Sequence, residues 1–347
     1  MRYRVLIYAG LAFVVSMPAE AQKLQMALAA AADFTPVYPF GKIPTNIKGI
    51  VAIAELGKEK PKELVASYFK VGDNPGIGDE KVAEQKQAVG DSPQVVLRYA
   101  APHDWALGKY RLDISADGRP WRSAEWEVVP PLPPAILGSA GDIMPLRAGT
   151  TWPMVFTSWS SPEVRVTLLG AETDRNGVYH MSAAITVPGV EQDGVHVRHM
   201  RDGKLAEEEL WQVGGGGIGV IGRLVGTKPL RVDPPLPIIP VPLPEPEKSW
   251  DWRSGEEDQW KFQGWGPVLL AGPNGEQPGY IIVMEQPTMA RTITRERDII
   301  PGLGINREIF VDQTGSGVTL FHQEYVLTGA PTMSDTDSQG SPGSEKP

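Results

Sequence analysis

Five Asx-Gly pairs set the tightest limit on what this chain can fold into: Asp117-Gly118, Asn176-Gly177, Asp193-Gly194, Asp202-Gly203 and Asn274-Gly275. A two-residue hairpin of the type I′ kind needs positive φ at both central residues, which Asp, Asn and Gly tolerate best. Around Asp117-Gly118, Tyr110, Leu112 and Ile114 alternate with polar residues, and Ala124, Trp126 and Val128 return opposite them. Between Asp193-Gly194 and Asp202-Gly203 lies Val195 to Arg201, a strand that must run antiparallel to both neighbours. Consecutive hairpins of this kind make a meander, and so a curved antiparallel sheet or barrel. With 38 Gly and 33 Pro among 347 residues, continuous helices are disfavoured and turn-rich β structure is expected.

Residues 1–21 read as a secretory signal. Arg2 and Arg4 precede an apolar run from Val5 to Val15, and Ala19-Glu20-Ala21 supplies a small-residue cleavage site. The run is short for a membrane span, and no later stretch reaches that length, so no span is expected after signal removal. The chain has no Cys, which excludes disulfides, thiol nucleophiles and thiolate metal sites. The expected location is periplasmic or extracellular. A formal charge of −9 argues against a nucleic-acid partner.

The expected order of parts is a flexible lead-in at 22–44, a β-sandwich at 45–129, a Pro-rich linker at 130–143, a second β domain at 144–329 and a disordered tail at 330–347. Gly72 to Ser92 is polar and rich in Gly and Asp, so a long loop is expected there, or one that contains a short helical turn around Glu80 to Gln87. Pro234 to Pro246 is too rich in Pro to donate central ladder hydrogen bonds, so an edge or crossover is expected there. In Arg295–Ile309, two strands meet at a Pro301-Gly302-Leu303-Gly304 corner. Period-2 alternation puts Ile305, Arg307, Ile309 and Val311 on one face.

The Gly108-x-Tyr110 strand, the Asp-Gly turn and the returning strand resemble the last two strands of immunoglobulin-like bacterial sandwich domains. In the second domain, three features resemble secreted bacterial proteins related in shape to the lipoprotein-carrier superfamily. These are Pro145-Leu146-x-x-Gly149-x-x-Trp152, Ser249-Trp250-Asp251-Trp252 after a Pro/Leu-rich run, and the Pro301–Gly304 corner. The resemblance implies a curved antiparallel half-barrel around an apolar cavity that takes acyl chains. The expected fold class is therefore all-β, an immunoglobulin-like sandwich followed by a half-barrel.

Candidate chemistry is sparse. Gly217-Ile-Gly-Val-Ile-Gly222 matches G-x-G-x-x-G, but a Pro-rich run follows it where a dinucleotide fold needs a helix. His196 and His199 are three apart on a strand and point to opposite faces, so no metal site is expected. Glu207-Glu208-Glu209 and Glu256-Glu257-Asp258 read as solvated surface charge. No G-x-S-x-G is present, and no cofactor is implied.

The expectation is a non-enzymatic binding protein that holds an apolar or lipid-like ligand in its second domain. Trp250, Trp252, Trp260, Phe262 and Trp265 would line the groove with Ile305, Arg307 and Ile309, although large aromatics are more often core residues. The alternative is an envelope adaptor that works through protein contacts. Arg295, Arg297 and Arg307 could meet an acidic ligand head, or simply pair across strands with Glu296 and Glu308.

Overall fold

The structure, a computed structural model, describes residues 23–29, 36–56, 60–72, 78–90, 94–133, 139–160, 172–173, 178–191, 194–214, 216–225, 228–243, 248–254, 258–288, 290–314 and 319–333. The signal segment, Asn176-Gly177, Asp193, Glu256-Glu257 and residues 334–347 of the tail lie outside them. The chain divides into two compact units, with the break at Pro133/Pro134.

The N-terminal unit pairs two sheets. Strands β1 (Lys23–Ala29), β2 (Pro36–Pro39), β4 (Gly49–Glu55) and β7 (Gln94–Ala100) form one, in the order β2-β1-β4-β7. Strands β3 (Lys42–Pro44), β5 (Glu63–Lys70), β6 (Glu80–Ala88), β8 (Gly108–Ala116) and β9 (Arg119–Val129) form the other, in the order β3-β9-β8-β5-β6. Apolar side chains from both sheets meet between them: Tyr68 of β5 stacks on Tyr99 of β7 at 4.7 Å between ring centroids. Trp105 then joins Tyr99 to Tyr110 and Trp126. Its indole N–H donates to the Ile47 carbonyl at 2.7 Å, so its one polar atom is satisfied on burial. The β8–β9 hairpin has Asp117 at φ 47° and Gly118 at φ 76°, the geometry its sequence demands.

Two expectations fail here. The lead-in contains strand β1, hydrogen-bonded along its length to β4, with Ala27 and Ala29 buried against Val51 and Ile53. Alanine gives a weak strand signal, and these two lie on the face of the sheet opposite the one that carries Leu28, Ile50 and Tyr99. The loop or short helical turn expected near Glu80 is strand β6, the outer strand of its sheet, and its polar composition suits that edge.

The C-terminal unit begins with one helical turn, α1 (Ala140–Ile143), inside the segment expected to be an extended linker. Its strands are β10 (Thr150–Ser160), β11 (Glu172–Thr173), β12 (Tyr179–Glu191), β13 (Gly194–Arg201), β14 (Lys204–Gly214), β15 (Gly217–Val225) and β16 (Lys228–Pro240). They continue with β17 (Lys248–Ser254), β18 (Asp258–Gly272), β19 (Gly275–Pro287), β20 (Arg291–Ile300), β21 (Gly304–Thr314), β22 (Thr319–Leu327) and β23 (Thr332–Met333). One antiparallel sheet contains them all, along the path β16-β15-β14-β13-β12-β10-β22-β21-β20-β19-β18-β17. β23 pairs with Thr150 and Thr151, so the tail is structured to Met333. The sheet curves until its ends, β16 and β17, nearly meet.

Proline explains why the seam is not a ladder. β16 carries Pro234, Pro235, Pro237 and Pro240, which have no N–H to donate. The seam is bridged by side chains instead: Trp252 Nε1 donates to the Pro235 carbonyl at 3.0 Å, and Ser254 Oγ donates to the Asp233 carbonyl at 2.7 Å. Inside the curve, Trp152, Phe156, Trp211, Ile218, Ile239, Phe262, Ile299 and Ile305 belong to one continuous core.

Candidate functional site

The Pro301–Gly304 corner is a turn between β20 and β21. Gly302 and Gly304 have φ of 84° and 89°, and a Cβ on Gly304 would lie 2.7 Å from Met144 Cγ. Glycine is therefore required there twice over, by conformation and by contact. Past the corner the sequence alternation breaks. Ile299 pairs with Ile305 but Asp298 pairs with Arg307, a bulge that leaves Asn306 extra. Ile305 thus joins the core inside the curve, while Arg307 and Ile309 sit with Glu296 and Asp298 on the opposite face. The expected single face of Ile305, Arg307, Ile309 and Val311 is corrected accordingly.

The aromatic row divides in the same way. Trp250 pairs with Phe262 and Trp252 with Trp260 across β17 and β18. Trp252, Trp260 and Phe262 are buried in the core inside the curve, and Trp250 is half-buried with its ring stacked 5.2 Å from that of Phe262. Trp265 is paired with Ile281 on the other face and is 1% exposed. The structure therefore brings together five of the eight candidate lining residues: Trp250, Trp252, Trp260, Phe262 and Ile305. Trp265, Arg307 and Ile309 lie elsewhere. No exposed aromatic row results.

A groove of about 940 Å³ lies instead over β13–β16, with one end against Val190 of β12. Val195, Leu210, Val213, Ile221, Leu230 and Val232 line it, with Arg231 and Asp233 among the polar groups. Val190 and Leu230 are each 56% exposed, so apolar surface is left in contact with solvent. These residues carry no distinctive spacing in the sequence. Only the pairing of four successive strands places them together.

The G-x-G-x-x-G stretch is β15, a strand along its whole length. A Cβ on Gly217 would come within 2.1 Å of the Ile239 carbonyl oxygen, so this glycine serves the close approach of the proline-rich strand beside it. His196 and His199 do point apart. His196 Nδ1 meets Glu208 Oε1 at 3.1 Å, whereas His199 is buried near Glu209.

Glu209 overturns the reading of its triplet as surface charge, because it is fully buried at the centre of an ion network. Trp211 Nε1 donates to its Oε2 at 2.7 Å and Arg223 Nε to its Oε1 at 3.1 Å, while Arg295 Nη1 lies 3.7 Å away. Burial alone would raise its pKa, but Arg295, His199 and Arg223 outweigh burial and hold the carboxyl well below the usual range. Glu308 is bonded by both Arg295 and Arg297, the latter through Nε at 3.2 Å. Against the same burial, the two guanidiniums lower it to about 2. Arg201 continues the network: its guanidinium lies 4.2 Å from the Phe156 ring centroid and bonds Tyr325 Oη and Gln323 Oε1.

On the opposite face of the same hairpin the balance reverses. Arg307 contacts Glu296 at 3.3 Å, Asp298 at 3.6 Å and Glu324, three carboxylates around one cation. Burial raises Asp298 to about 7, with Arg307 opposing, and burial together with Asp298 raises Glu296 well above its ordinary value. The cross-strand pairing with Glu308 and Glu296 is thus what Arg295, Arg297 and Arg307 do in this fold.

Compared with known proteins, the chain matches no protein-family model and no curated protein.

Proposed function

We propose that this is an exported, non-enzymatic binding protein whose C-terminal unit takes an apolar, lipid-like ligand in the groove over β13–β16. The observation that carries the reading is the groove itself: a concave site of the volume usual for small-molecule pockets, lined mainly by Val, Leu and Ile. The aromatic residues support that site from within the core rather than touching the ligand. Kinship with the lipoprotein-carrier type of half-barrel is part of the proposal, and the curved, nearly closed antiparallel sheet supports it.

An immunoglobulin-like ancestry for the N-terminal sandwich belongs to the same reading. Two features support it. β3 runs parallel to β9, and the Tyr110 hydroxyl at the start of β8 donates to the Ala106 carbonyl at 3.0 Å. The second is the corner contact that tyrosine makes in such sandwiches.

The test is binding of an apolar fluorescent probe to the full chain, joined to mass spectrometry of an organic extract of protein purified from its own host. The wild type is expected to bind the probe saturably. Leu230→Asp, on an exposed side chain, is expected to weaken binding about tenfold or more, since excluding a leucine-sized contact is worth roughly 1.5–3 kcal/mol. Absence of both probe binding and a co-purified lipid would overturn the carrier reading in favour of the envelope adaptor.

A further inference from the structure

The interior ion network leaves one group out of balance. Arg201, Arg223, Arg295 and Arg297 share the inner face of the sheet with Glu207, Glu209 and Glu308, four guanidiniums and three carboxylates, and His199 lies beside Glu209. Arg295 and Arg297 share the single carboxylate Glu308. Arg297 is 0% exposed, and among the described residues neither its Nη1 nor its Nη2 has a hydrogen-bond partner. Its one hydrogen bond among the described residues is through Nε, on the side edge of the guanidinium. Both Nη atoms therefore remain as donors. Burial and the neighbouring Arg295 lower the pKa of this guanidinium, which stays a cation, whereas the charge of Arg295 is reinforced by Glu308 and Glu209. A buried cation with unmet donors is among the costliest arrangements a core can contain. What relieves it is an acceptor carrying negative charge, and a two-oxygen acceptor matches the fork of a guanidinium.

We infer that the interior of the C-terminal unit contains an oxyanion site centred on the Nη atoms of Arg297, which takes a phosphate- or carboxylate-type group. Arg295 supplies further positive charge, and Glu308 fixes both guanidiniums by bonding them from β21. Glu308 and Glu209, held ionised by their own arginine partners, set the limit on how much negative charge the site accepts. The site shares no lining residue with the groove over β13–β16 and does not rest on the apolar-ligand reading. The anion can come from an amphiphile's headgroup or from a free ion; the recognising chemistry is the same.

The experiment titrates the full chain with inorganic phosphate and with hexyl phosphate at constant ionic strength, reading heat and Tm. Saturable binding of one equivalent is expected, with Tm raised by about 4 °C or more near saturation. Arg297→Met should abolish that shift, and Arg297→Lys, which keeps the charge and loses the fork, should weaken binding about tenfold. Arg119→Met, an exposed arginine of the other unit, should bind as the wild type does. Tighter binding of hexyl phosphate identifies a headgroup site, and equal binding a free-anion site. Leu230→Asp should leave both unchanged, so failure here and failure of the groove are told apart. Should Arg297→Met not fold, the guanidinium ¹⁵N resonances of wild-type Arg297 replace it and should shift on adding phosphate. The inference is overturned if neither phosphate binds saturably, if hexanol binds as tightly as hexyl phosphate, or if Arg297→Met or the Arg297 resonances show no difference.

Discussion

The two faces of the β20–β21 hairpin bury charge in opposite ways. Inside the curve, Arg295 and Arg297 surround Glu308, and the carboxylate is kept ionised. On the other face, Glu296, Asp298 and Glu324 surround Arg307, and two of the carboxyls are driven toward the protonated form. The same residue types, on strands side by side, acquire pKa values several units apart because burial penalises every charge and only the local ratio of partners decides which charges survive. An ion pair is therefore a poor unit of description here. The stoichiometry of each cluster governs.

The sharpest way to break this contrast is to remove the hub of the inner cluster. Glu308→Ala strands two buried guanidiniums and is expected to cost about 3–5 kcal/mol in denaturant unfolding at pH 7. Next in size is pH dependence, whose sign differs between the faces. Asp298 and Glu296 hold protons more tightly folded than unfolded. The contribution of Asp298 is complete below the ordinary carboxyl range and is lost as pH rises through about 7, and that of Glu296 is likewise lost at a pH above its ordinary range. Glu308 binds its proton more weakly folded, so its contribution is present above its ordinary 4.5 and lost as pH falls toward 2. Asp298→Asn should flatten the alkaline limb, which spans a few kcal/mol at about 1.4 kcal/mol per pKa unit, and leave the acid limb in place. Smaller again is Trp252→Phe, which deletes the seam hydrogen bond to Pro235 for about 1 kcal/mol. Smallest is Glu296→Gln at pH 6. It mimics the protonated side chain and should shift stability by under about 1 kcal/mol, in contrast to Glu308→Gln.

How far such a contrast can be read from sequence depends on how local its causes are. Asp117-Gly118 and Asp202-Gly203 announce their turns because the backbone at those two positions alone demands positive φ. The proline-rich edge at β16 is equally local, since each Pro removes its own donor. The charge clusters are not local. Glu209 reaches Arg295 only because β14 and β20 lie in one curved sheet, and nothing in Glu207-Glu208-Glu209 distinguishes its fully buried member, Glu209, from solvated charge. The Asn306 bulge erases parity in a segment whose alternation otherwise looks regular, which moves Ile305 away from Arg307 and Ile309. Strand β1 was illegible for another reason: small alanines give little strand signal even where they pack against Val51 and Ile53. The groove residues, from Val190 to Leu230, become one surface only through four strand pairings.

The most direct test of the opposed clusters is a carboxyl ¹³C NMR titration of the full chain from pH 3 to pH 8.5, with Glu308 and Asp298 assigned by Gln and Asn substitution. Glu308 is expected to remain ionised throughout, while Asp298 changes state near pH 7. If both carbons titrate together near pH 4, the two faces do not bury charge differently and the account is wrong.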